Sequence, residues 1–265
     1  MERKDESWIG LRRKAPRNKA RLVVFPFAGG SASSFYRWVK DFPFADEVSL
    51  DIVELPGRGR RPTAPLIRDF ADLNRQLLPH TASLVDDVPC IFLGYSMGAM
   101  IAFEQARLLG LETGRSPSAV ILAARKSPTY NRTGIRRHKM SREKIVDDLK
   151  KLGGTPEQVI EQPELFSRYL DVLEADFQAL ESCTTPVDSA IDCPVVVIGG
   201  VDDPETNTQQ LHDWSRFTRS SFNLHFLPGG HFFLHSSHNA LIELVAKHVQ
   251  KIVGYQLESE RESIC

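Results

Sequence analysis

Pro89-Cys90-Ile91-Phe92-Leu93-Gly94-Tyr95-Ser96-Met97-Gly98-Ala99 is the stretch whose reading decides the fold of this chain. A short apolar run suited to a buried strand ends in Gly-x-Ser-x-Gly, and a helix-like run follows from Ala99 to Leu109. A serine at the tip of so sharp a strand-to-helix turn sits in strained backbone geometry. Glycines two residues to either side leave room for the strand and the helix to pass close together. The turn lifts the serine Oγ above a sheet edge and points the next N–H at the same reacting atom. An ordinary glycine-rich turn can also hold a serine, so the motif takes its meaning from its surroundings.

A nucleophilic serine needs a base, and the base needs an orienting carboxylate. Asp202 and Asp203 come just after the β-rich run Pro194-Val195-Val196-Val197-Ile198-Gly199-Gly200. His231 comes just after Phe222-Asn223-Leu224-His225-Phe226-Leu227, in the stretch Pro228-Gly229-Gly230-His231-Phe232. In a parallel sheet, polar residues at the C-terminal ends of strands are where ligands and catalysis are expected. The order serine, acid, histidine is that of an α/β-hydrolase. His231 and His235 are four apart, but no glutamate follows the first, so the zinc-protease pattern is absent and no metal is expected. His80, His138, His212, His225 and His248 fall in helices, strand or lid and read as solvated or packed.

Strands and helices alternate along most of the chain, which implies βαβ units around a mostly parallel central sheet with helices on both faces. Strands are expected over 21–27, 48–55, 119–124, 194–199 and 222–227 besides the one ending in the serine turn. Helices are expected through Phe35 and Trp38, from about Asp69 to Val85, and from Asn239 to Val253. Residues 127–192 break the pattern, being helical and strand-free, with helices over 142–152, 156–162 and 164–181. Leu165, Tyr169, Val172, Leu173 and Phe177 recur there at helical spacing. Such a stripe reads first as core contact; inserted between the strands that deliver Ser96 and the acid, the segment also reads as a mobile lid or acyl-pocket wall over the serine, and one helix can be both. Leu165, Tyr169 and Phe177 are candidates for the apolar lining beneath it. The charged residues 254–265 read as a frayed tail.

The chain has 265 residues, 42% of them hydrophobic, enough for one α/β domain over 1–265 with a substantial core. A formal net charge of −1 gives no reason to invoke nucleic acid or an anionic membrane surface. The basic stretch from Arg12 to Arg21 reads as a solvated N-terminal segment. Cys90, Cys183, Cys193 and Cys265 have no metal-ligand spacing and read as free thiols in a reducing compartment. With a charged N-terminus and no apolar run near the ~20 residues of a membrane helix, a cytoplasmic protein is expected.

Several motifs together carry a closer likeness. Phe25-Pro26-Phe27-Ala28-Gly29-Gly30-Ser31, Leu55-Pro56-Gly57-Arg58-Gly59-Arg60, Gly94-Tyr95-Ser96-Met97-Gly98-Ala99, Leu152-Gly153-Gly154-Thr155-Pro156-Glu157, Ala175-Asp176-Phe177 and Pro228-Gly229-Gly230-His231-Phe232 resemble the type II, free-standing thioesterases. Those accompany polyketide and nonribosomal peptide synthetases, and a related branch serves animal fatty acid synthase. The resemblance spans about Leu22 to Val253. It implies hydrolysis of acyl thioesters on the phosphopantetheine arm of acyl- or peptidyl-carrier proteins, in an editing or releasing role, by a monomer with no cofactor or metal of its own. It also implies that Ser96 is the nucleophile and His231 the general base. Asp203 is preferred over Asp202 as the orienting acid, because family members place that carboxylate three residues after the glycine matching Gly200. The oxyanion donors are the N–H of Met97 and one at Phe27 or Ala28. Arg58, Arg60 and Arg61 are candidate contacts for an acidic carrier protein. A small-ester hydrolase or acyltransferase of the same fold, or a ligand-binding protein that keeps the fold without catalysis, are the alternatives.

Overall fold

The computed structural model describes residues 7–85, 88–133, 136–153, 162–186 and 188–262. Its centre is a seven-stranded sheet built from β1 (Ile9–Arg13), β2 (Ala20–Phe25), β3 (Val48–Val53), β4 (Cys90–Tyr95), β5 (Ala119–Ala123), β6 (Val195–Gly200) and β7 (Phe222–Leu227). The order across the sheet is β1-β3-β2-β4-β5-β6-β7. Only the β1–β3 pairing is antiparallel. The six strands expected from the sequence are the six parallel ones; β2 to β6 are buried on both faces and so read as continuous apolar runs, whereas β7, at the sheet edge, is only partly buried.

Alternate residues of each strand feed opposite cores. Val23, Phe25 and Phe92 face a core closed by α2 (Phe70–Ala82) and α3 (Met97–Thr113). Leu22, Val24, Ile91 and Leu93 face the other, closed by α1 (Tyr36–Asp41) and α8 (His238–Glu262). Asp69 caps α2 by accepting from the Asp72 N–H at 2.8 Å. Between β5 and β6 run two 3₁₀ turns, α4 (Arg142–Leu152) and α5 (Pro163–Glu181), with α6 (Thr208–His212) and α7 (Phe233–Ser236) following later. Ile145 and Leu149 of α4 pack on Leu170 and Leu173 of α5 to form a third, small core. The helix expected over 156–162 falls, but for its last residue, outside the described residues. α8 continues past Val253 as far as Glu262. Among the described residues no helix is long and apolar enough to cross a membrane.

The N-terminal segment differs from its sequence reading. Residues 9–13 are an edge strand, and its basic residues are tied into the fold. Arg12 and Arg21 both bond the fully buried Asp51 on β3, Arg21 at 2.5 Å. Arg13 donates to the carbonyls of Val39, Phe42 and Val48 at 2.9, 3.0 and 3.2 Å. The strand was hard to read because only Ile9 and Leu11 show its alternation. The carboxylate that accounts for two of the arginines lies far along the chain.

On the opposite side of the molecule, His225 of β7 and His248 of α8 meet with their Nε2 atoms 3.0 Å apart. Burial and the neighbouring His225 and lysines push His248 down to about 4, and burial and Lys247 also lower His225. Above the usual histidine value of about 6.5, the pair is neutral in both the folded and the unfolded chain and is indifferent to pH. Below it the unfolded chain takes up protons that the folded pair refuses, so stability falls from about pH 6.5 until about pH 4. Urea midpoints measured across that window should fall with pH, and His248→Gln should flatten the fall. Identical slopes for both proteins would remove the pair from the acid response.

Candidate active site

The register of the sheet brings the connecting loops to one edge. Phe25 pairs with Gly94, Tyr95 with Ala123, Ala123 with Ile198 and Gly200 with Leu227, so the segments leaving β2, β4, β5, β6 and β7 emerge side by side. Ser96 is the one-residue hinge between β4 and α3, with φ 52° and ψ −112°. Side chains avoid that region, and so local strain is held in place by the packing around it. The two flanking glycines are steric requirements. A Cβ on Gly98 would overlap the Phe25 carbonyl, and one on Gly94 would overlap the backbone of Gly98 and Ala99.

His231 Nε2 lies 3.0 Å from Ser96 Oγ. Its Nδ1 lies 3.1 and 3.0 Å from the two oxygens of Asp203. An ionised carboxylate can only accept, so Nδ1 carries the proton and Nε2 is left to accept from the serine hydroxyl. The two adjacent aspartates differ in direction. Asp203 is buried and reaches the histidine, whereas Asp202 is exposed. Asp203 is itself held by the Glu205 N–H at 2.8 Å and the Thr206 hydroxyl at 3.1 Å.

Some residues that shape the site were not foreseen. The Tyr95 hydroxyl donates to the His231 carbonyl at 2.7 Å and accepts from the Leu234 N–H at 3.1 Å, which ties the histidine loop to the strand that carries the serine. Burial holds that hydroxyl neutral by raising its pKa well above the usual value. Tyr95 occupies a variable position of the serine motif, and nothing in its spacing signals the bond.

The loop after β2 is fixed by two carboxylates. Asp176 of α5 accepts from the Gly29 N–H at 2.7 Å and forms a two-armed pair with Arg58 at 2.6 and 2.7 Å. Arg58 also donates to the Gly30 carbonyl at 3.2 Å. Glu54 accepts from the Ala32 N–H at 3.0 Å. Gly29 has φ 73°, a conformation open to glycine. These contacts correct the reading of the basic turn: Arg58 is buried in this clamp. Arg61 is buried too, its guanidinium 4.1 Å from the centre of the Trp8 ring. Of the three, Arg60 alone is exposed.

A cavity of about 410 Å³ opens beside Ser96 and His231. One wall is apolar and comes from Leu149, Leu152, Leu173, Phe177 and Leu180 of α4 and α5. Of the three lining candidates only Phe177 faces it. Leu165 and Tyr169 lie two or three turns earlier on α5 and line a separate groove with Val172 and Arg58. Phe27 and Ala28 also border the Ser96 cavity, and Met97 begins α3 beneath it. The lining also carries charged side chains, Arg125, Lys126, Arg137, Glu181 and Glu205, with the Arg137 guanidinium 5.7 Å from the centre of the Phe177 ring. Among the described residues no group of three or more histidines, cysteines or acids could hold a metal ion.

Residues 20–252 match the family described as Thioesterase domain. The gramicidin S biosynthesis protein GrsT of Aneurinibacillus migulanus is 32% identical over 236 residues, which is 89% of this chain and 91% of that protein. The thioesterase PikA5 of Streptomyces venezuelae is 29% identical over 91% of this chain and 85% of its own length. Among solved structures, the type II thioesterase BorB from the borrelidin biosynthetic cluster superposes with a TM-score of 0.80 at 32% identity, covering 89% of this chain and 95% of that one.

Removing Asp176 leaves the buried Arg58 guanidinium without its partner. Breaking such a pair from one side costs about 3–5 kcal/mol. Asp176→Ala should therefore lower the urea midpoint by a corresponding amount. A midpoint unchanged from that of the unmodified protein would show that the clamp contributes nothing to stability.

Proposed function

Because this chain belongs to the thioesterase family, we propose that Ser96, His231 and Asp203 form the catalytic triad with which it hydrolyses acyl thioesters. The observation that carries this reading is the unbroken line of contacts from Ser96 Oγ to His231 Nε2 and from His231 Nδ1 to Asp203. In the reaction, Nε2 takes the hydroxyl proton as Oγ attacks the thioester carbonyl. The resulting oxyanion accepts from the N–H of Met97, which as the first residue of α3 has no partner within the helix, and from an N–H at Phe27 or Ala28. The protonated histidine then gives its proton to the departing thiol. Water enters, loses a proton to Nε2 and releases the acyl group from the serine. Asp203 keeps the ring in the tautomer that both half-reactions require. Every step uses groups of this chain, the acyl thioester and water.

The substrate we assign is an acyl group on the phosphopantetheine arm of an acyl- or peptidyl-carrier protein. The enzyme would serve an editing or releasing role beside a polyketide or nonribosomal peptide synthetase in the cytoplasm. Support comes from relatives of such pathways: GrsT is a gramicidin S biosynthesis protein and BorB comes from the borrelidin cluster. α4 and α5 would act as the lid, since they supply the apolar wall over Ser96. With Arg58 and Arg61 buried, Arg60 alone of that turn is left to meet a carrier protein. A binding protein that merely keeps the fold would have no use for a strained serine in contact with a buried, oriented histidine.

Ser96→Ala should abolish thioester hydrolysis and labelling by a fluorophosphonate while leaving thermal stability near that of the unmodified protein. Near-normal turnover in a folded Ser96→Ala protein removes the assignment. Asp203→Asn should lower kcat by about 10⁴-fold, and Asp202→Asn, on an exposed side chain, should lower it little. The reverse ranking would transfer the orienting role to Asp202.

Contacts made by a carrier protein remote from the reacting carbon can be used to position it. An acyl group on carrier protein should accordingly be cleaved with a higher kcat/KM than the same group on coenzyme A. Equal values on both, at low and high ionic strength, would leave a thioesterase with no carrier preference.

A further inference from the structure

The wall that α5 gives the Ser96 cavity has a direction. Leu173 lies beside the loop after β2, where a Cβ on Gly29 would come within 3.0 Å of its Cδ1. Phe177, then Leu180 and Glu181, follow along the helix and line the same cavity. At the usual helical rise, Glu181 stands about 12 Å beyond Leu173 along the axis. Glu181 is the last residue of α5, and its carboxylate is fixed from outside the helix. One oxygen accepts from the Arg137 N–H at 2.7 Å and the other bonds His138 Nδ1. The Arg137 side chain is held in turn by both oxygens of Glu205, at 3.2 and 2.8 Å. One residue on, the Ser182 hydroxyl accepts from the Phe70 N–H at 2.9 Å, which fastens the end of α5 to the start of α2. Glu181 also borders a second groove, of about 610 Å³, shared with Leu66, Ile67, Gln76, His138 and Gln178. Among the described residues it alone borders both spaces. An alkyl chain on Ser96 gains from every methylene it lays on Leu173, Phe177 and Leu180, until its end meets the carboxylate. To go further it must strip water from that charge or pull it off its charge-assisted hydrogen bonds, and an apolar chain offsets neither.

We propose that Glu181 is a specificity-determining residue: the end wall that caps the length of acyl chain the Ser96 cavity accepts and keeps longer chains out of the groove beyond. His138 and Arg137 act through Glu181 and are positioning residues. The proposal rests on the reading of Ser96 as the nucleophile and adds an upper limit of size to it. Such a limit serves an editing role. Short groups stalled on a carrier are removed, while chains that a synthetase has already lengthened do not fit and are spared.

The test measures kcat/KM for N-acetylcysteamine thioesters in the series acetyl, butanoyl, hexanoyl, octanoyl, decanoyl and dodecanoyl, with Ser96→Ala as the blank. For the unmodified enzyme the values should climb along the series and then fall before dodecanoyl. Glu181→Ala should leave acetyl cleavage near normal, which reports a folded site. Beyond the former limit it should raise kcat/KM by about 4-fold for each further methylene buried. Gln178→Trp added to Glu181→Ala fills the groove and should bring the limit back, which a general loosening of α5 would not do. Values that climb steadily through dodecanoyl in the unmodified enzyme, or the same limit in Glu181→Ala, overturn the proposal and leave the Ser96 reading standing. Long-chain cleavage that persists in the double variant overturns it as well. Should Glu181→Ala lose acetyl cleavage too, the limit is read in His138→Ala, which frees one carboxylate oxygen and should move it upward; a limit unmoved there overturns the proposal. Absence of turnover with the whole series and with carrier-bound acyl groups, in the unmodified enzyme, overturns both readings.

Discussion

The approach of α3 to β2 is the constraint on which the site depends. The backbone at Gly98 runs directly beneath the Phe25 carbonyl, a distance that leaves no space for a side chain. Only with that close approach can the chain reverse from strand to helix in one residue. The reversal forces Ser96 to positive φ, and positive φ turns its hydroxyl out of the sheet toward His231. A looser turn would relieve the serine and at the same time withdraw it from the histidine. The cost of the conformation is met by the packing of α3, which is apolar almost all round and buried against the sheet.

A second layer of order joins distant parts of the chain to this turn. Tyr95 fastens the histidine loop to the strand before the serine. Asp176 fastens α5 to the loop after β2, and Arg137 joins the segment before α4 to Glu205, whose own N–H supports Asp203. The helical segment between β5 and β6 is therefore bonded to the loops on both sides of the cavity. These bonds are short, buried or half-buried, and directional, which suits parts that must hold their positions to a fraction of an ångström.

Much of this was legible in the sequence, for identifiable reasons. The parallel strands β2 to β6 are buried on both faces and so announce themselves as apolar runs, and the half-buried β7 still alternates apolar residues at Phe222, Leu224 and Phe226. The serine, acid and histidine were legible because each stands at the end of such a run. β1 was not, since an edge strand with two partly buried apolar residues, Ile9 and Leu11, leaves little pattern. The arginines at 58 and 61 read as surface contacts for a carrier protein because charge in a sequence reads as exposure. Their partners, Asp176 and Trp8, lie far along the chain in either direction. Between Asp202 and Asp203 the residues themselves give no sign of direction, and the preference for Asp203 comes only from the family's spacing after the glycine at 200. For the same reason Leu165, Tyr169 and Phe177 share a helical stripe but serve two different surfaces.

The thiols have a bearing on chemistry that involves sulfur esters. Cys90, Cys183 and Cys193 are all buried and free, and burial raises each of them, Cys90 and Cys193 to about 12. Acyl groups migrate between sulfur atoms through the thiolate, and the rate follows the fraction ionised and its access. At neutral pH these three are protonated and enclosed, so none can capture an acyl group by transthioesterification and hold it as a dead-end adduct. For a catalyst that spends its life among activated thioesters, inert sulfur at these three positions is a form of self-protection.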